Sequence, residues 1–112
     1  MREAEVEEDR YNRVFKALGN TQRRKILDLI KNQPRTTSDL CDILDGLDRC
    51  TIMQHLDVLE RDDLIVVKHR GKYRWNYINL FRIKEIYDSW ISKYSNRTKG
   101  NFRTRHDVDR SL

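Results

Sequence analysis

The residues of this 112-residue chain whose types and spacing could do chemistry are suited to holding an anion rather than to breaking a bond. Arg49, Cys50, Thr51 and Gln54 fall in the N-terminal half of one predicted helix, whose Cys50, Gln54, Asp57 and Arg61 project from the side opposite its apolar stripe. Arginine pairs bidentately with guanine, glutamine with adenine, and a threonine methyl meets that of thymine. His55 on the same helix and Thr37 at the start of the preceding one complete the candidate contacts there. Lys68, Arg70, Lys72 and Arg74 then form a cluster with no acid among them, an arrangement that straddles phosphates or enters a minor groove. His69 shares that tip. Catalysis has no comparable support: no nucleophile stands at a recognisable spacing from a histidine, the four glycines make no phosphate loop, and the carboxylates are dispersed. No enzyme is expected.

These side chains need elements to present them. Tyr11, Val14, Phe15 and Leu18 recur at helical spacing between Arg10 and Asn20, where Gly19 and Asn20 end the run. Thr21 caps a second predicted helix, with Ile26, Leu27 and Ile30 on one face, Arg23, Arg24 and Lys25 beside them, and Pro34 closing it. Thr36, Thr37 or Ser38 starts a short third helix whose Leu40, Ile43 and Leu44 point inward until Asp45-Gly46 breaks it. Asp48 caps a fourth, Arg49 to Asp62, with Ile52, Leu56 and Leu59 on its buried stripe. Leu64 to Val67 and the alternating Tyr73 to Ile78 read as a β-hairpin with the basic cluster at its tip. Ile83, Ile86, Tyr87, Trp90, Ile91 and Tyr94 form the apolar stripe of a last helix. The expected organisation is an acidic arm over 1–9, one domain over 10–95, and a basic, mobile tail over 96–112.

Charge follows the same division. The net +5 splits into −4 over the first nine residues and +3 over the last seventeen, leaving +6 for the body. A basic body favours a polyanion. No apolar run approaches the ~18 residues of a membrane span and no signal peptide is visible, so a cytoplasmic protein with reduced Cys41 and Cys50 is expected. A domain this small with two aromatic-rich end helices calls for a partner copy. The expected homodimer joins through Tyr11, Val14, Phe15 and Leu18 of the first helix and Ile86, Tyr87, Trp90, Ile91 and Tyr94 of the last.

The order of elements gives each piece a mechanical role. In a helix-turn-helix the second helix enters the major groove while neighbouring elements grip phosphate, and a basic hairpin directly after it is a wing. The fold class is therefore mainly α with a small β-hairpin, a winged helix-turn-helix, and the partner is double-stranded DNA. A solvated structural helix, or a winged helix used for protein binding, is the alternative, toward which Met53, Asp57 and Glu60 lean. The stretches VFKALGNTQRRKILDLI (Val14 to Ile30), CTIMQHLDVLERDDLIVVKHRGKYRWNYIN (Cys50 to Asn79) and IKEIYDSWISKY (Ile83 to Tyr94) resemble the arsenic-repressor type (ArsR/SmtB) winged helix family. The resemblance implies a homodimeric transcriptional repressor paired through its first and last helices. KYRWNYIN followed by IKEIYDSW further resembles a subgroup encoded beside a START-type, polyketide-cyclase-like protein, a possible partner by implication of resemblance alone. Metal sensing, known among such proteins, is not expected: Thr36 and Ser38 stand where a cysteine pair would be, Cys41 is left alone, and the last helix offers Glu85 and Asp88 without histidine. His55, His69 and His106 are scattered. Neither a metal nor another cofactor is expected.

Overall fold

Local hydrogen-bonding chemistry sets most of the element boundaries in the computed structural model, which describes the backbone of residues 3–98 and the side chains of 6–95. Helix α1 (Glu3–Leu18) takes in most of the acidic segment expected as an arm. Its apolar period begins only at Tyr11, the described residues 6–9 before it all being exposed, and acids there suit the positive end of the helix dipole. Gly19 closes α1 by donating to the Phe15 and Lys16 carbonyls at 2.9 and 3.2 Å. The cap of α2 (Thr21–Ile30) is Asn20 rather than Thr21: its Oδ1 accepts from the Arg23 amide at 3.1 Å. For α3 (Thr37–Ile43) the capping residue among the three candidates is Thr36, in a reciprocal capping box with Asp39. Asp48 caps α4 (Arg49–Arg61), accepting from the Thr51 amide at 2.7 Å.

The expected hairpin is present as β2 (Ile65–Arg70) and β3 (Tyr73–Ile78), and a two-residue strand β1 (Arg35–Thr36) extends it to a three-stranded antiparallel sheet in the order β1-β3-β2. Two residues carry no readable period, so the strand left no signal in the sequence. The buried Asn76 ties the edge together, donating to the Arg35 carbonyl at 3.2 Å and to the Thr37 hydroxyl at 3.1 Å.

The chain divides into two units, residues 1–82 and 83–112. In the first, Val14 and Ala17 of α1, Ile26, Leu27 and Ile30 of α2, Leu40 of α3, Ile52, Leu56 and Leu59 of α4, and Leu64 and Ile65 at the start of the hairpin make the core. Each wholly buried aliphatic side chain contributes about 1.5 to 3 kcal/mol by removal from water. The described part of the second unit is helical: α5 (Leu80–Ile86), which begins in the first unit, gives way to a π-helical turn at Tyr87–Ile91 and then α6 (Ser92–Thr98). Beyond Thr98 the expected tail lies outside the described residues. No helix of the described residues is long and apolar enough to cross a membrane.

Candidate nucleic-acid interface

Burial of Ile52, Leu56 and Leu59 turns the opposite side of α4 outward. Arg49, Cys50 and Gln54 are exposed there and Thr51 is half-buried. Hydrogen bonds from the Thr51 amide and hydroxyl hold the Asp48 carboxyl below the ordinary carboxylate range, so the capping charge persists well into acid. His55 sits deeper, half-buried. Burial and then the Arg23 charge lower its pKa below the ordinary histidine value, keeping it neutral at physiological pH. Arg23 Nη1 lies 3.4 Å from His55 Nδ1, a contact that needs Nδ1 to accept. Thr37, expected among the contacts, is only 2% exposed and its hydroxyl serves Asn76, so its side chain belongs to the core of the sheet edge.

Strand register decides which wing cations are free. Gly71, at φ +60°, opens a two-residue turn, and Arg70 pairs with Tyr73, His69 with Arg74, and Lys68 with Trp75. Directly paired residues share a face, so Lys68 and Arg70 lie with Tyr73, Trp75 and Tyr77, whereas Arg74 lies with His69 and Asn76 on the other side. Lys68, Arg70 and Lys72 are exposed. The Lys68 and Lys72 ammonium groups each stand 5.4 Å from a ring centroid, of Tyr77 and Tyr73 respectively. Arg74 turns toward α4: Nη2 lies 3.3 Å from a Glu60 oxygen and 3.8 Å from an Asp57 oxygen, and Nη1 is 3.4 Å from Met53 Sδ. The four-cation cluster expected at the tip is thus three cations plus one committed elsewhere.

Sequence reasoning also missed what α2 does with its basic residues. Arg23 Nε donates to the Ala17 carbonyl at 2.7 Å and Arg24 Nη1 to the Leu18 carbonyl at 2.6 Å, so both clamp the C-terminal end of α1. The unfilled carbonyls of a helix ending just before a basic run were the available signal. Among the residues expected at a dimer interface, Val14 and Ile86 are buried within the chain and have no surface to offer. Phe15, Tyr87, Trp90, Ile91 and Tyr94 are exposed, while Tyr11 and Leu18 are half-buried. The Trp90 and Tyr94 rings pack 5.1 Å apart. Cys41 is half-buried and Cys50 exposed.

Comparison with known proteins agrees with this geometry. A family model described as a helix-turn-helix domain matches residues 18–68. The uncharacterized HTH-type transcriptional regulator YuzN of Bacillus subtilis is 36% identical over 89 residues, covering 70% of this chain and 91% of that protein. The transcriptional repressor SdpR of the same organism is 28% identical over 86 residues, covering 77% and 93%. Among solved structures, the homodimeric winged helix-turn-helix DNA-binding domain of Mb0332 from Mycobacterium bovis, a possible ArsR-family regulator, superposes with a TM-score of 0.68 at 19% identity. It covers 92% of this chain and 91% of that one. Other ArsR-family regulators share the fold.

The chain belongs to the helix-turn-helix transcriptional regulators, and its fold is that of the ArsR-family structures. It is a DNA-binding transcriptional regulator, with α3 and α4 as the helix-turn-helix and β2–β3 as the wing of this ArsR-type fold. Both of these relatives are named regulators of transcription.

Proposed function

We propose that this ArsR-type regulator is a cytoplasmic homodimeric repressor that reads a specific operator through α4, grips phosphate through its wing, and responds to no metal. The observation that carries the reading is the exposure of Arg49, Cys50 and Gln54 on α4 together with Lys68, Arg70 and Lys72 on the hairpin that follows it. Base-reading donors on one element and phosphate-neutralising cations on the next divide specificity from affinity as DNA recognition requires. The similarity to SdpR, a repressor, and to the homodimeric Mb0332 domain supports the mode of action and the assembly. Metal independence is supported by the sequence at the start of α3, where Thr36 and Ser38 leave Cys41 without a neighbouring cysteine to complete a thiolate site.

A gel-shift titration with the upstream region of its own gene tests this. Retention of that duplex at concentrations that leave random DNA free, unchanged by a chelator, is the expected result. Equal binding to both duplexes removes the operator-reading role, and a change in affinity on adding zinc or arsenite removes metal independence.

A further inference from the structure

Met53, Asp57 and Glu60 follow at steps of four and three residues, so they make one stripe along α4. The two carboxylate side chains retain 67% and 49% of their exposure and follow directly after the residues proposed to read bases. Left uncompensated, they would repel the phosphates that the wing attracts. Arg74 lies across this stripe. Its side chain keeps only 12% of its exposure, its Nη2 is shared between Glu60 at 3.3 Å and Asp57 at 3.8 Å, and its Nη1 rests on Met53 Sδ. The parity of the hairpin imposes this direction, since a two-residue turn places Arg74 on the face opposite Lys68 and Arg70.

Taking α4 and the wing as the DNA-binding surface proposed above, we propose that Arg74 is a positioning residue for DNA recognition and not a phosphate contact. Its charge is committed to Asp57 and Glu60, which pins the wing to the recognition helix and silences the acidic stripe that would otherwise face the DNA backbone.

The test is a double-mutant cycle read by anisotropy on the labelled upstream duplex at several salt concentrations. Arg74→Ala is made in the wild type and in an Asp57→Asn/Glu60→Gln background. Arg74→Met, which keeps the apolar stem, is run in parallel, and thermal melts confirm that each variant folds. In the wild type, both Arg74 variants should lose about tenfold in affinity, within the coupling range of contacting residues. In the neutralised background the same substitutions should change affinity by less than about twofold and leave the salt slope unchanged. An equal loss in both backgrounds, with the slope falling by about 1, makes Arg74 a phosphate contact and overturns the proposal. So does the absence of any loss. Failure of the wild-type protein to bind any duplex would instead overturn the DNA-binding surface on which the proposal rests.

Discussion

Gln54 and Arg70 stand for the two kinds of contact proposed for this protein, one on the exposed side of α4 and one beside the turn of the wing. Gln54→Ala should cost roughly 1 to 3 kcal/mol on the operator and nothing on random duplex, the magnitude of one good bidentate base contact. Arg70→Ala should weaken both duplexes alike and reduce the salt slope by about 1, since it removes a cation that neutralises a phosphate and no base contact. Titrating both variants against both duplexes at two salt concentrations separates the roles; equal losses on both DNAs would remove Gln54 from the base-reading set. At this scale the sequence was legible where the helical period ruled. Arg49, Cys50 and Gln54 face outward because Ile52, Leu56 and Leu59 face inward. It was less legible for Arg74 and Thr37. Even-numbered spacing across Lys68, Arg70, Lys72 and Arg74 resembles a single face, but the turn reverses the alternation between Arg70 and Tyr73. Thr37 carries a polar group of the kind that contacts DNA, and only the buried amide of Asn76, from a strand distant in sequence, reveals where its hydroxyl is used.

Among the elements, α4 is started by a single capping side chain. Asp48 anchors its first turn through the Thr51 amide, and that turn presents Arg49, Cys50 and Thr51. Asp48→Ala should lower the melting temperature by roughly 5 °C, as losing one cap does in a domain of this size, and should weaken operator binding by fraying that turn. Asp48→Asn, which can still accept from the amide, should retain most of both. The pH dependence distinguishes the pair. Because the folded-state pKa of Asp48 is lowered from its ordinary 3.8, its ionised form stabilises the fold at all pH above that value, and this contribution is lost as pH falls through the lowered folded value. Melts of wild type and Asp48→Asn between neutral pH and pH 3 should therefore converge on acidification; parallel curves would show that the carboxylate charge adds nothing to the cap. Caps and apolar periods made five of the helical and hairpin elements readable in advance, among them α4 with Asp48 at its start. Element ends governed by tertiary partners were not: β1 exists only because β3 offers it an edge, and α1 extends to Glu3 through a segment that buries no side chain among the described residues 6–9.

At the scale of the whole molecule, the exposed aromatic groups of the last helical segment are the feature that a lone chain leaves unaccounted for. Tyr87, Trp90 and Tyr94 are 44%, 44% and 54% exposed, more aromatic surface than a monomer ordinarily presents on one short segment. Light scattering at micromolar concentration should give twice the 13.6 kDa chain mass, and Trp90→Ala with Tyr94→Ala should return a monomer that still melts cooperatively. A monomeric mass for the wild type would refute the assembly. A dimer carrying two copies of α4 should protect an imperfect palindrome whose half-sites lie about one helical turn apart. One corner of the first unit bears on the entropy of that encounter. Between α4 and β2, Asp63 holds a left-handed conformation at φ 62°; the Leu64 amide returns to the Leu59 carbonyl at 2.9 Å, and Asn79 binds the Asp63 carbonyl at 2.8 Å. Asp62, its side chain 1% exposed, is held by Arg61 at 3.2 Å and by Arg13 at 3.9 Å. The helix proposed to read bases and the strand that leads to the wing thus share a joint with little freedom left to lose. Docking on DNA need not order this corner, so the free energy that a looser hinge would forfeit to ordering remains available as affinity.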